Sequence, residues 1–258
     1  MNVIKDIQKL KYLLILLSSL FSLTAVAQNN VKDTKQNIMG VSGNFSYEIP
    51  GGDLASRFGY NGNVGCGFFT KTKNNFLFTV EGGYIFGNKI KDDSLFHLIK
   101  THDDYIIDGD GMYADVRTYE RGFVLWGKAG KVFPVLKDNP NSGLLILVGG
   151  GFMQHKIRIE NPGNTVPQLK GNYRKGYDKL SNGPALSQFI GYIHFSDNRL
   201  YNFRAGLEFT QAFTQSRRNY DLDLMAKDTK KRIDLLYGFK IAWIVPFNRR
   251  KPAEFYYN

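Results

Sequence analysis

Two segments near the C-terminal end alternate between large apolar residues and small or charged ones. In residues 201–213 the second set of positions contains Arg204 and Glu208, and in residues 232–247 it contains Lys240. A period of two residues is the spacing of a β-strand, whose side chains point to opposite faces in turn. Both segments are therefore predicted as strands with one apolar face and one small, charged face.

The same test along the rest of the chain predicts six more strands, in which the alternation of apolar and polar positions is less regular. The eight predicted strands cover residues 38–49, 60–69, 76–86, 123–133, 144–159, 185–195, 201–213 and 232–247. In the fifth and sixth strands the face predicted to point outward is the one that carries Leu145, Leu147, Met153, Ile157, Phe189, Ile193 and Phe195.

The chemistry of the two faces favours a membrane barrel over a soluble sandwich. A sandwich needs one face of each strand to fill a common core, and glycine alternating with charge does not fill one. In a membrane barrel, large apolar residues face lipid and small or charged residues fit a narrow interior. The predicted interior charges are Glu48, Glu81, Lys128, Arg204, Glu208 and Lys240. Because buried charges persist only when paired, we expect a salt-bridged core, with a proton or small-ion path as the alternative.

The lengths of the links between strands predict the topology. Turn-sized links cover residues 71–75, 135–142 and 196–199, and they alternate with longer links over residues 50–59, 87–122, 160–184 and 214–231. Outer-membrane barrels show this alternation, with short periplasmic turns and long extracellular loops. The predicted fold is all-β: an eight-stranded antiparallel up-and-down transmembrane β-barrel.

The N-terminal segment predicts export. Three lysines precede the apolar stretch 12–23, and Ala25-Val26-Ala27 has the small-x-small pattern of a signal peptidase site. We assign residues 1–27 to a signal peptide, 28–37 to a short periplasmic leader, 38–247 to the barrel and 248–258 to a periplasmic tail. An uncleaved membrane anchor is the alternative, but the apolar core is short and interrupted by serines.

Composition narrows the choice of protein class. Hydrophobic residues make up 43% and aromatic residues 14%, which excludes a disordered chain and suits β structure. Outside the N-terminal segment there is no apolar run of about 18 residues, so a helical membrane bundle is excluded. With one cysteine, Cys66, the chain forms no internal disulfide and no thiolate metal site. We expect no cofactor and no metal.

Several short segments of the sequence resemble segments of known outer-membrane proteins. Residues 240–247 (KIAWIVPF) are similar to the C-terminal β-signal of such proteins, with Ala242 in place of the usual glycine and a tail beyond the aromatic residue. PGGDLASRFG (50–59), LKGNYRKGYDKL (169–180) and KIAWIVPFNRRKP (240–252) resemble small outer-membrane β-barrel proteins of the Bacteroidota. The resemblance implies the outer membrane as location and docking on the barrel-assembly machinery during biogenesis. It brings no activity with it.

One set of residues suggests an enzyme. His194-Phe195-Ser196 and the later Glu208 resemble the His-x-Ser and Glu of the lipid A 3-O-deacylase family, which implies Ser196 as nucleophile and His194 as its base. Asp197 departs from the Asn of that family. Across a tight turn, Glu208 would lie opposite residue 187, roughly 20 Å from His194 at 3.3 Å per residue. The turn would also face the periplasm, away from outer-leaflet lipid A.

Two of the long loops contain the remaining candidates for ligand-binding or partner-binding residues. The 87–122 loop is acidic and contains His97 and His102, but it lacks the spacing of a calcium loop, so we expect it to be solvated. The 160–184 loop combines cations with tyrosines, as phosphate-binding and protein-binding surfaces do. The predicted contact residues are Lys170, Tyr173, Arg174, Lys175 and Tyr177.

The function predicted from the sequence is non-enzymatic. We expect a structural or interaction protein of the cell outer membrane, in contact with lipid, lipopolysaccharide or another envelope protein, such as an accessory of a secretion or assembly complex. The formal net charge of +11 fits an acidic partner without naming it. Nucleic acid is not expected as a partner. The alternatives are a lipid A deacylase-like hydrolase and a narrow channel.

Overall fold

The computed structural model describes residues 35–135, 139–196 and 199–247. The predicted signal peptide and the predicted C-terminal tail lie outside the described residues.

Eight antiparallel strands form a closed ring in chain order, with β1 paired to β8. The fold prediction of an eight-stranded up-and-down barrel is confirmed. The strands are β1 (Ile38–Gly51), β2 (Asn61–Lys71), β3 (Phe76–Gly87), β4 (Arg117–Pro134), β5 (Gly143–Glu160), β6 (Ser181–His194), β7 (Phe203–Ser216) and β8 (Lys231–Pro246).

Helical structure is confined to short pieces in the links. The α-helices are α1 (Gly52–Ala55) and α2 (Tyr173–Tyr177), and 3-10 turns cover Pro162–Asn164, Pro167–Leu169 and Arg199–Tyr201. Among the described residues, no helix has the length and apolar character needed to cross a membrane. We call the links at one end L1 (52–60), L2 (88–116), L3 (161–180) and L4 (217–230), and that end the long-loop end.

The strand register keeps the two faces apart. Burial alternates strictly along β1 from Ile38 to Ile49, and Glu48 faces inward opposite Asn61 of β2 and Gly238 of β8. A slip of one residue would exchange the apolar and polar faces along a whole strand. The alternating sequence pattern therefore selects the register as well as the strand.

The backbones of β6 and β7 approach closely where Gly191 pairs with Gly206. A Cβ added to Gly206 would lie 2.4 Å from the Cα of Gly191, its partner in the register, and 2.8 Å from the Phe189 ring. Glycine at these two positions leaves room for the Phe189 side chain, which is 2% exposed.

The faces predicted for β5 and β6 were wrong. Leu145, Leu147, Met153 and Ile157 of β5 and Phe189, Ile193 and Phe195 at β6 all point inward and are buried. The outward residues are Leu144, Ile146 and Val148 on β5 and Leu186 and Ile190 on β6. Both faces of β5 are apolar near its start, so the two-residue period alone does not say which face points outward. Met153 and Ile157 join the apolar cluster at the long-loop end. The other inward residues fill the lumen at the short-turn end together with Ile38, Phe69, Leu77, Val132 and Ile244.

The long-loop end is covered by the loops themselves. Leu54 and Phe58 of L1, Phe96 of L2, and Leu169 and Tyr177 of L3 belong to one apolar cluster with inward residues of the strands. Leu222 of L4 is partly buried and packs against this cluster, so the four loops share an apolar core and form a folded cap over the opening.

Candidate functional site at the long-loop end

A network of ion pairs fills the middle of the lumen. Glu81 lies 2.6 Å from both Arg204 and Lys240, and 3.5 Å from Lys128. Glu208 pairs with Lys128 and, at 3.0 Å, with Lys240. Two carboxylates are thus cross-linked to three cations, the five side chains come from four strands of the wall, and each is 6% exposed or less. Burial of charge in this way requires such mutual pairing.

The sixth predicted interior charge, Glu48, lies inside the barrel but apart from this network. Its Oε1 accepts a hydrogen bond from the Asn63 side chain at 3.2 Å. A second buried carboxylate, Glu120, accepts one from Asn61 at 3.0 Å. These two acids line the lumen with amide partners instead of cations.

Arg57 anchors L1 inside the mouth of the barrel. Its guanidinium donates to Asp234 Oδ1 at 3.0 Å, while His155 Nε2 lies 2.9 Å from Asp234 Oδ2 and Thr214 donates to the same oxygen. Sequence reasoning missed this cluster because its members are far apart in the chain, and Arg57 lies in a link that was predicted only as one of the longer loops.

Ion pairs also connect L2, L3 and L4. Lys179 of L3 lies 2.8 Å from Asp92 of L2 and 3.3 Å from Asp223 of L4. Burial raises the pKa of Asp92, but hydrogen bonds from Lys179 and Ser94 outweigh it, so the pKa lies below its ordinary value. The rings of Phe96 and Tyr177 pack edge to face, with centroids 5.3 Å apart.

One concave surface of the cap is a cleft of about 720 Å³ between β5, L3 and L4, which we call the basic cleft. Its charged lining residues are Lys156, Arg158, Arg174, Lys175, Arg218, Glu160 and Asp178. Arg158 pairs with Glu160 at 2.8 Å, and the Arg218 Nε donates to Asp178 at 2.7 Å. The hydrogen bond to Asp178 raises the pKa of Arg218 further above its ordinary value.

A second hollow of about 410 Å³ adjoins the basic cleft and shares Lys175 and Arg218 with it. Tyr173 and Tyr220 line this hollow, and they are 65% and 45% exposed. Aromatic faces and cations therefore lie side by side in one connected depression.

The predicted contact residues of L3 fall into two groups. Lys170, Tyr173, Arg174 and Lys175 are exposed at the surface of the cap. Tyr177 is only 4% exposed because it packs in the apolar cluster against Phe96, so its prediction as a contact residue was wrong. A tyrosine within a polar loop gives no sequence signal of a buried loop core.

His194, Ser196 and Glu208 are not brought together. The His194 ring packs against Phe203 on the outer face, with centroids 5.5 Å apart, while Glu208 lies inside and pairs with Lys128. The register sets Glu208 opposite Phe189, about 17 Å along the strand from His194 at 3.4 Å per residue. The backbone N–H of Ser196 donates to Asn202 at 2.7 Å in the short turn. No catalytic triad is formed by these three residues.

The described residues contain no cluster of three His, Cys, Asp or Glu side chains suited to a metal ion. In the acidic part of L2, Asp108 accepts hydrogen bonds from the backbone N–H groups of Asp110 and Met112, both at 2.9 Å. Its carboxylate thus stabilises a turn of the loop.

Comparison with known proteins gives structural matches only. No protein-family model matches the chain, and no curated protein matches it significantly. Among solved structures, Neisserial surface protein A (NspA) aligns with 80% of this chain and 96% of its own, at 10% identity and a TM-score of 0.44. Ail, the attachment invasion locus protein of Yersinia pestis, in a complex with the heparin analogue sucrose octasulfate, aligns over 81% and 99%, at 10% identity and a TM-score of 0.39. The N-terminal β-barrel domain of Pseudomonas aeruginosa OprF aligns over 79% and 96%, at 11% identity and a TM-score of 0.33. None of these matches assigns a function to this chain.

Proposed function

We propose that this protein is an outer-membrane barrel with a sealed lumen, and that its folded loop cap is an interaction surface at the cell exterior. Its role is that of a structural or interaction protein and involves neither catalysis nor conduction. As part of the same proposal, the protein acts as an accessory of another envelope protein. The barrel-assembly machinery inserts it into the outer membrane.

The observation that carries the proposal is the inverted exposure of the strands. On β8 the outward positions from Ile233 to Trp243 are all apolar, and Phe239 and Trp243 are 50% and 52% exposed. Every other strand also exposes large apolar side chains on its outer face. Soluble monomers rarely expose contiguous apolar patches of this size.

The height of this apolar belt suits a bilayer. The ten residue steps from Ile233 to Trp243 correspond to about 34 Å along the strand, or about 26 Å along the barrel axis at a tilt of about 40°. The apolar band of outer-membrane barrels is about 25 Å tall. The resemblance of three sequence phrases to small outer-membrane barrels of the Bacteroidota supports the same placement.

The filled lumen argues against a channel. At the short-turn end, Phe189, Ile193 and Phe195 close the interior with other apolar side chains. The ion pairs of Glu81 and Glu208 cross-link the middle, and the cap covers the far end. Separation of His194 from Glu208 removes the specific reason to propose a hydrolase.

The test compares one substitution at two leucines of similar exposure. Leu207 on the outer face of β7 is 48% exposed, and Leu224 in L4 is 56% exposed. An arginine on the lipid-facing side near the bilayer midplane destabilises a barrel by about 2–4 kcal/mol. An arginine at an exposed loop position changes stability little. We expect Leu207→Arg to deplete the protein from the outer-membrane fraction of expressing cells and Leu224→Arg to leave it there.

Equal tolerance of both substitutions would contradict the proposal, as would a wild-type protein that stays soluble and folded without detergent. In a water-soluble barrel, both leucines would face solvent and both variants would behave alike.

A further inference from the structure

The outer face of β5 carries cations directly beyond its apolar belt. Outward positions on β5 change from apolar Leu144, Ile146 and Val148 to Lys156 and Arg158, which are both exposed. The register pairs Lys156 with Arg121 on β4, whose guanidinium carbon lies 4.8 Å from the centroid of the Tyr119 ring. In the proposed membrane placement, these cations lie at the height of the lipid headgroups of the outer leaflet.

The basic cleft has more cations than its own acids neutralise. It contains five cationic and two anionic side chains, and Arg158 and Arg218 engage the two acids, Glu160 and Asp178. Among the described residues, Lys156, Arg174 and Lys175 form no ion pair, and the Lys175 ammonium donates only to the Asn172 side chain, at 3.0 Å. Unpaired like charges gathered in one concave surface attract an anion that can contact several of them.

Buried contacts beneath the cleft hold its walls in position. Asp178 is 7% exposed, and it holds Arg218 of L4 against L3. The backbone N–H of Leu222 donates to the carbonyl of Gly176 at 3.0 Å, and Tyr177 anchors α2 in the apolar cluster. Arg218 and the backbone of α2, which carries Arg174 and Lys175, are therefore held in position, which lowers the entropy lost when a ligand binds.

We propose that the basic cleft binds the phosphorylated sugar headgroup of an outer-leaflet glycolipid of the lipopolysaccharide type. Lys156, Arg174 and Lys175 contact the phosphate, and Tyr173 and Tyr220 of the adjoining hollow pack against the sugar rings. The cleft borders the outward face of β5, so a headgroup reaches it laterally while its acyl chains lie against the apolar belt. This inference rests on the proposed membrane placement and assigns a ligand class to the cap.

The test uses purified wild-type barrel in nanodiscs that contain a defined diphosphorylated lipid A, its dephosphorylated form or phosphatidylglycerol. The cleft variant is Lys156→Gln/Arg174→Gln. The matched control Lys73→Gln/Lys227→Gln removes the same charge from two exposed lysines outside the cleft. The readout is the number of molecules of the added lipid retained per barrel after detergent extraction and washing, counted by mass spectrometry.

We expect the wild type and the control variant to retain diphosphorylated lipid A, and the cleft variant to retain it about tenfold less, because charged hydrogen bonds to phosphate are lost. Dephosphorylated lipid A and phosphatidylglycerol should be retained weakly by all three proteins. Heat-modifiable migration on gels checks that the cleft variant is folded.

Equal retention by the cleft and control variants would overturn the assignment of the site. Equal retention of the phosphorylated and dephosphorylated lipids would overturn the phosphate contact, and equally tight binding of a soluble phosphorylated core oligosaccharide would overturn the commitment to a membrane lipid. Incorporation into nanodiscs is measured separately, so failure of the membrane proposal is distinguishable from failure of the cleft.

Discussion

At the scale of single residues, the stability of the barrel depends on individual charges of the lumen, because each is held by ion pairs. Glu81 is 2% exposed and contacts three cations, so its neutralisation leaves those cations with only Glu208 as a counter-charge. An uncompensated buried charge is strongly unfavourable, whereas loss of an exposed ion pair changes stability little.

We therefore expect Glu81→Gln to lower the free energy of unfolding by about 3–5 kcal/mol. Glu160→Gln, which breaks the exposed pair with Arg158, should lower it by less than about 1 kcal/mol. Urea unfolding in detergent micelles, followed by tryptophan fluorescence, measures both. Similar midpoints for the two variants would show that the lumen network adds no more than a surface pair.

The close approach of the β6 and β7 backbones limits the size of the side chain that position 206 accepts. A Cβ on Gly206 would lie 2.4 Å from the Gly191 Cα, whereas a Cβ on Gly127 would meet nothing within 4 Å. We expect Gly206→Ala to destabilise the barrel by about 1–3 kcal/mol through overpacking and Gly127→Ala to be close to neutral. The same urea titration checks the pair, and an equal response at both glycines would argue against a tight β6–β7 contact.

At the scale of elements, the cap depends on ion pairs between loops. Lys179 joins L3 to Asp92 of L2. The pKa of Asp92 is lowered in the folded protein, so this carboxylate contributes stability above its unfolded pKa of about 4, and the contribution is lost as pH falls through the lower folded value.

The expected result is that L2 becomes more mobile as pH falls below about 4. A spin label at Leu98→Cys, in a Cys66→Ser background, reports this mobility by electron paramagnetic resonance, since Leu98 is 50% exposed in L2. The Asp92→Asn variant should be more mobile at neutral pH and respond less to acid. A pH response unchanged in Asp92→Asn would assign the effect to another group.

At the scale of the whole molecule, the closed lumen predicts that the barrel does not conduct ions. Apolar side chains fill the short-turn end and ion pairs bridge the middle. We expect the purified wild-type barrel to produce no reproducible conductance steps in planar bilayers, under conditions where a general porin produces them. Reproducible openings of the wild type would show that ions pass the network and would restore the channel alternative.

Much of the fold follows from pattern alone. The period of two, the inward charges such as Glu81 and Lys240, and the alternating link lengths together predict eight strands in an up-and-down ring, and the structure has them. The prediction failed where both faces of a strand are apolar, as on β5, and where a loop side chain such as Tyr177 belongs to a core. In both cases local chemistry does not distinguish burial by protein from exposure to lipid or water.

The amino-acid sequence by itself determined the strands, their order and six of the charges inside the barrel, because neighbouring residues of a strand point to opposite faces. Only the tertiary structure decided which partners those charges have, how Arg57 reaches Asp234, and that Lys156 meets Arg174 and Arg218 in one cleft. These contacts join residues distant in the chain, and their geometry depends on the register of the closed ring and on the packing of four loops against each other.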